Sequence, residues 1–231
     1  MPAHKLPNRN FRFNKNLAYV IGLIVTDGSL SSSRRHIIMT SADKDQLETF
    51  CSILKISPSK YIKPQASSGF TKNKIKSKQA YKIQIGNKQF YNWLLTIGLK
   101  PNKTKTLKSI KIPDKFFPDF LRGWIDGDGS IFTYIDNYTT YKNKTYQNLR
   151  LYVQLVSASK SHLKWLQTTI KRLINIKGAL SLQHAKRNKQ IWRIRYSKKE
   201  SIKLLNWIYY QPSLPCLKRK YNIAQPFLVS N

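Results

Sequence analysis

Acidic residues are scarce in this chain. Ten Asp and Glu stand against 42 Lys and Arg in 231 residues, a formal net charge of +32. A surface so one-sided repels itself and costs stability, so the expected partner is a polyanion that neutralises it. Cysteine is almost absent: Cys51 and Cys216 are the only two, and neither sits in a CxxC pair. That excludes a disulfide framework or a cysteine zinc site and points to an intracellular protein. The four histidines, His4, His36, His162 and His184, are scattered and form no paired-His metal motif. No apolar run approaches the ~20 residues that cross a bilayer, so no membrane partner is expected. Residues Met1 to Lys15 are basic without a hydrophobic segment, which does not read as a secretory signal.

What is present narrows the class. The chain is 41% hydrophobic and 12% aromatic, too apolar for a disordered basic tail. Its length allows one large or two modest domains. The positive charge is spread along the whole sequence rather than gathered in a block, which suits an extended surface contacting phosphates. Nucleic acid is therefore the expected ligand. Lys, Asn, Ile and Tyr are plentiful and Lys outnumbers Arg, which suggests AT-rich coding DNA, as in a chloroplast, a mitochondrion or an AT-rich bacterium.

One pattern occurs twice. The apolar run from Leu17 to Val25 ends in Thr26-Asp27-Gly28-Ser29, and the run from Phe120 to Ile125 ends in Asp126-Gly127-Asp128-Gly129-Ser130. In both, a glycine (Gly22, Gly123) precedes the final Asp by five positions, and those Asp lie 101 positions apart. Thr40-Ser41-Ala42 with Leu47 matches Val156-Ser157-Ala158 with Leu163 at an offset of 116. Gly98-Leu99-Lys100-Pro101-Asn102-Lys103 is echoed by the stretch from Ser213 to Lys220. The jump from 101 to 116 places a 15-residue insertion between Ser130 and Ser157, where Tyr138 to Asn148 reads as a long hairpin.

Each copy reads as helix, hairpin, helix, hairpin, helix. Leu47, Phe50 and Leu54 carry helical spacing over 43–55, as do Leu163, Leu166, Ile170 and Leu173 over 159–174. Leu149, Leu151, Val153 and Leu155 alternate with Arg150, Tyr152 and Gln154, and Tyr81, Ile83 and Ile85 with Lys82 and Gln84. That period of two predicts strands with one apolar face. Ser67 to Gln79 reads as a hairpin tip. Residues 102–118, bracketed by Pro101, Pro113 and Pro118, read as a linker between an N-terminal repeat, 1–101, and a C-terminal repeat, 119–231. Trp93, Trp165 and Trp207 sit in apolar helical patterns and are expected in the core.

Three of the ten acidic residues occupy the two Asp-Gly motifs, an unfavourable place. A carboxylate at a helix C-terminus faces the negative end of the macrodipole, costing roughly 0.3–1 kcal/mol when exposed. One such motif would fit an ordinary helix end, with the following Gly as a left-handed cap. Two with matched spacing fit it poorly. Ala18 and Gly22 lie four apart, as do Gly123 and Gly127, so each helix offers a groove where another backbone can approach. Side-by-side packing about a pseudo-two-fold axis would bring Asp27 and Asp128 together. Paired carboxylates repel, and Mg²⁺ relieves that repulsion. Metal so held suits phosphodiester hydrolysis.

The runs from Gly22 to Gly28 and from Gly123 to Gly129 resemble two copies of the LAGLIDADG motif, and the resemblance extends over nearly the whole chain. Two motifs about a hundred residues apart are similar to the two-motif monomeric branch of the LAGLIDADG homing endonucleases. The resemblance implies an α+β fold: two pseudo-symmetric αββαββα repeats, a saddle-shaped antiparallel sheet surface, and motif helices packed at the repeat interface. It implies Asp27 and Asp128 as metal ligands, together with the backbone carbonyls of Thr26 and Gly127. Mg²⁺ is the implied cofactor, with Mn²⁺ substituting and Ca²⁺ supporting binding without cleavage. Val25 departs from the motif, standing where an acidic residue often lies, but that position is not the ligand.

The family also places a Lys late in each repeat near the active centre. Lys103 and Lys220 match best, with Lys218 a close rival. The family's polar residue after the second strand is replaced here by Ala42 and Ala158. The resemblance lays the sheets in the major groove of double-stranded DNA, where Arg can bond guanine and Gln adenine. The corresponding DNA contacts are Arg34, His36, Lys63, Gln65, Lys82, Gln84, Arg150, Tyr152, Gln154, Gln183, Arg193 and Arg195. Because the two copies differ, an asymmetric target is expected. The rival readings are an intron-RNA-binding splicing maturase, alone or combined with the nuclease, and a DNA-binding regulator on the same scaffold.

Overall fold

The computed structural model describes residues 4–5, 11–57, 63–65, 80–139, 145–185 and 189–229. The expected hairpin tip at 67–79 lies outside them. The first repeat runs β1 (His4–Lys5), α1 (Lys15–Thr26), β2 (Gly28–Leu30), β3 (His36–Ser41), α2 (Lys44–Leu54), β4 (Lys63–Gln65), β5 (Ala80–Gly86) and α3 (Lys88–Thr96). The second runs α4 (Phe117–Asp128), β6 (Ser130–Thr139), β7 (Thr145–Ser157), α5 (Lys160–Ile174), β8 (Ala179–Ala185), β9 (Lys189–Tyr196), α6 (Lys198–Ile208) and α7 (Lys218–Ala224). Beneath the additions β1 and α7, both halves show the αββαββα order.

The strands form two sheets. In the first, β2, β3, β5 and β4 pair antiparallel in that order, and β1 adds to β5 in parallel. β4 pairs with 80–82 of β5 and β1 with 85–86, so the two share one edge end to end. The second sheet is ordered β6-β7-β9-β8, wholly antiparallel. The insertion enters as longer strands: β6 has 10 residues against 3 in β2, and β7 has 13 against 6 in β3.

Alternation sets the buried faces. Ile37, Met39, Ile83 and Ile85 point inward with Leu47, Phe50 and Leu54 of α2 and Phe90 and Leu94 of α3. Leu151, Val153, Leu155, Ile194 and Tyr196 do the same with residues of α5 and α6. Ser201 of α6 accepts from Val153 N at 3.0 Å and donates to Tyr196 O at 2.8 Å, tying helix to sheet. Leu149 departs from the expected inward row. It is 45% exposed beside its register partner Ile135, 58% exposed, because the lengthened hairpin outruns the core. Trp93, Trp165 and Trp207 are half-buried.

The chain divides into two compact units that do not coincide with the repeats. The first comprises Met1–Lys103, Ile110–Gly127 and Pro215–Leu217, and the second Thr104–Ser109, Asp128–Leu214 and Lys218–Asn231. Most of α4, although it opens the second repeat, therefore packs with α1. The segment expected to link the repeats is shared out: Leu107 and Ile110 are both buried. In the second unit, Leu107 O accepts from Ser159 Oγ at 2.5 Å. No helix among the described residues is long and apolar enough to cross a membrane.

Candidate functional site

The site begins with α1, which is apolar on every side. Asn14 caps it by accepting from Leu17 N at 2.8 Å, and every residue from Leu17 to Val25 is buried. Such a helix has no solvent face and must pack all round. One neighbour is α4, at backbone contact. A Cβ on Gly22 would lie 2.2 Å from Phe120 O, and one on Gly123 would lie 2.1 Å from Tyr19 O. These contacts obey the repeat offset of 101, so the helices cross about a local two-fold relation. A Cβ on Gly127 would meet Thr26 Oγ1 at 1.9 Å and Asp27 Oδ2 at 2.8 Å. The backbone at Gly127 thus lies against the first carboxylate.

Asp27 closes α1 with an ordinary right-handed backbone (φ −91°). The expected left-handed glycine cap is absent: neither Gly28 nor Gly129 has positive φ. The physical reason is that the chain passes straight from α1 into β2, so Gly28 has no reversal to make. It is needed for closeness instead, since a Cβ there would lie 2.6 Å from Ile24 O. Asp27 is half-buried, and Gln46 Nε2 donates to its Oδ2 at 3.3 Å. Ser41 Oγ holds Gln46 Oε1 at 2.5 Å. Sequence reasoning missed Gln46, although Ala42 had left the family's polar position vacant. Its signal was a glutamine next to Leu47, on the buried side of α2. Asp128 belongs to the second unit and is exposed.

Two buried lysines complete the repeat correspondence. Lys103, 7% exposed, donates its Nζ to Gly28 O. Lys220, 4% exposed, donates its Nζ to Gly129 O at 2.7 Å. Each ammonium therefore reaches the residue directly after a motif Asp. Lys218, the rival, is exposed.

The third motif carboxylate is structural. Asp126 Oδ2 accepts from Tyr19 OH at 2.9 Å and from Leu217 N at 2.8 Å. Burial, reinforced by the Asp126 charge, raises the Tyr19 pKa well above the usual phenol value, because an ionised phenol there would be both dry and beside an anion. Arg122, fully buried, pairs with Asp119 at 2.7 Å and lies over the Tyr19 ring. His162 is structural too: its Nδ1 lies 2.7 Å from Lys108 O and its ring packs on Trp165.

The sheet faces differ in chemistry. In the first, His36, Lys82 and Gln84 lie on the outward face with Ile38 and Thr40. Arg34 is exposed in the turn between β2 and β3, with φ 54°, rather than on a strand. Lys63 and Gln65 lie on β4, opposite Lys82 and Ala80, and their side chains fall outside the described set. In the second, the outward row Ser130-Gln154-Arg195-Ala179 runs across all four strands. Beside it Phe132, Tyr152 and Tyr134 stack, with ring centroids 5.5 and 5.9 Å apart. Arg195 lies 3.7 Å over Tyr152. This aromatic pile was also missed, since Phe132 and Tyr134 lie in the strand grown by the insertion. Arg193 shares the outward face with Ser181, while Gln183 is exposed on β8. Arg150 is held by Asp136 at 2.8 Å, and that hydrogen bond raises its pKa.

Among the described residues no three His, Cys, Asp or Glu side chains gather as a cage for metal. The donors at α1 are of another kind: one half-buried carboxylate with backbone close beside it. Hard oxygen donors, few in number, fit Mg²⁺, which keeps waters and takes substrate phosphates rather than filling a protein cage.

Two helices meeting at glycines and two one-sided sheets define a two-repeat α+β architecture. More narrowly, the chain has the fold of the LAGLIDADG homing endonucleases. The DNA-bound meganuclease I-AabMI superposes with a TM-score of 0.55 at 16% identity, over 93% of this chain and 89% of that one. The homing endonuclease I-LtrWI, bound to its target DNA, gives 0.54 at 13% identity over 92% and 89%. Full-length DUF199/WhiA from Thermatoga maritima gives 0.51 at 17% identity, over 96% of this chain but 64% of that one. No family model matches the sequence. An uncharacterized protein of Methanocaldococcus jannaschii is 25% identical over 124 residues, 53% of this chain and 44% of that protein. The chain thus spans less than half the length of that relative.

Proposed function

We propose that this chain is a monomeric, site-specific double-strand DNA endonuclease that hydrolyses phosphodiester bonds at a long asymmetric target. The observation carrying this reading is the repeated pair Lys103–Gly28 and Lys220–Gly129, each beside a motif Asp. Asp27 and Asp128 each serve one scissile phosphate, with Thr26 and Gly127 offering carbonyl oxygens. Mg²⁺, or Mn²⁺ in its place, supplies Lewis-acid stabilisation of the phosphate when bound. Gln46 orients the Asp27 carboxylate through its amide. Lys103 and Lys220, each bonded to the carbonyl that follows a motif Asp, supply positive charge where negative charge develops on the phosphate. The outward sheet faces bind the duplex, with Arg193 and Arg195 matched to guanine and Gln84 and Gln154 to adenine.

The test is cleavage of a randomised or host-derived DNA library with Mg²⁺, with Ca²⁺ and EDTA as controls. Cuts concentrated at one long site, seen with Mg²⁺ alone, are expected. Tight binding without cutting under any metal would refute the nuclease.

A second reading, intron-RNA binding in splicing, is favoured by α5. Lys160, Lys164, Lys171 and Arg172 are exposed on it with no acidic residue, whereas in the corresponding α2 Lys44 is paired with Glu48 at 3.2 Å. Splicing by an Asp27→Ala protein, with and without reversal of the α5 charges, separates the two activities.

A further inference from the structure

The two repeats deliver their buried lysines by different routes. Lys103 lies seven residues beyond Thr96, the end of α3. That path starts with a backbone cap: Gly98 N donates to Leu95 O and Leu99 N to Leu94 O, both at 3.0 Å, with Gly98 left-handed at φ 109°. This is helix capping by backbone groups. Lys220 lies twelve residues beyond Ile208, the end of α6. This longer path is tied by side chains of α4. Leu217 N donates to Asp126 Oδ2 at 2.8 Å, and Pro215 O accepts from Arg122 Nε at 2.9 Å.

The ties are costly. Asp119, Arg122 and Asp126 are all 1% exposed or less, and burying ions is unfavourable unless good partners compensate. At the same positions, 101 residues earlier, α1 carries Ala18, Ile21 and Val25. Buried ions thus occur in the motif helix whose repeat has the long path.

We infer that Asp126, assisted by Arg122, is a positioning residue: it fixes Leu217, the residue preceding α7, and so sets where Lys220 stands. Asp126 touches neither metal nor DNA in this role. The inference rests on the proposed role of Lys220.

The test is strand-resolved cleavage of the target by Asp126→Val, which copies Val25. The reference is Lys220→Met, which defines the strand served by the second repeat. Asp126→Val is expected to slow that strand by about 10²-fold, the scale of an ångström-sized misplacement, so that singly nicked DNA accumulates. The double variant should be no slower than Lys220→Met. Asp126→Asn, which keeps an acceptor for Leu217 N, should restore the strand balance. Equal slowing of both strands, or none, would overturn the inference. If Lys220→Met itself changes neither strand, the role of Lys220 has failed. Amide exchange then judges the clamp separately, and judges it also if Asp126→Val does not fold. In the wild-type protein the Leu217 amide should be protected like a core helix, and exchange at loop rates would sink the clamp.

Discussion

The two repeats agree around the motif helices and differ on their outward sheet faces. Gly22 and Gly123 make reciprocal backbone contacts, and Lys103 and Lys220 reach equivalent carbonyls. Ser41 and Ser157 each accept from the backbone N two residues on, at 3.0 and 3.1 Å. The outward faces share far less. Where the first sheet pairs Ile38 with Gln84, the second pairs Gln154 with Arg195. On the proposed function, the hydrolytic centre would meet the same phosphate geometry on both strands, so its framework is held constant. Base edges differ along a target, so the faces are free to diverge.

The sharpest way to break that likeness is at the carboxylates. Asp27→Ala and Asp128→Ala should each abolish double-strand cleavage, and gel-shift affinity should stay within about threefold because phosphate contacts dominate binding. A variant still cutting both strands at the wild-type rate would remove that Asp from the chemistry. Next in size is the helix crossing. Gly22→Ala or Gly123→Ala puts a methyl about 2 Å from a carbonyl oxygen, which neither helix can relieve by a rotamer change. Chemical denaturation should show a loss of about 3 kcal/mol or more, beyond the usual overpacking range. The two losses should be similar, since the contacts are reciprocal.

The halves were unequally legible in the sequence. The glycines and the repeat order could be read because each obeys a spacing that one helix or one offset enforces. Gln46 could not, because its meaning lies in reaching Asp27 across nineteen residues. Neither could the buried roles of Asp126 and Arg122, whose partners are Tyr19, Leu217 and Pro215. Leu149 misled because alternation reports which face a residue takes, not whether a helix lies beneath it. The glycine cap misled because Gly at a helix end answers equally to left-handed backbone and to crowding.

Gln46 and His162 occupy matching positions, 116 apart, and offer a smaller contrast. Gln46→Ala removes one donor to Asp27 and leaves the Ser41 hydroxyl to find another acceptor. Cleavage of one strand should slow by about tenfold, in line with a lost hydrogen bond of roughly 1.5 kcal/mol to a charged group. His162→Ala instead removes a contact to Lys108 O and should lower stability with little change in strand preference. Rates per strand and melting curves on the same two proteins decide it.

The finest distinction is between charge and shape on the sheet faces. Arg195→Lys keeps the charge but loses the flat guanidinium that lies 3.7 Å over Tyr152, and Lys cannot reproduce a stacked, two-pronged contact. Binding should weaken by about 1–3 kcal/mol for the preferred base at one target position, while the slope of log affinity against log salt stays the same. Lys82→Met, on the first sheet, should show the complementary behaviour if it contacts phosphate: a weaker affinity for every sequence and a salt slope shallower by about 1. If Arg195→Lys shifts the salt slope and leaves base preference intact, then the aromatic pile supports a phosphate contact instead, and the second face reads DNA by other residues.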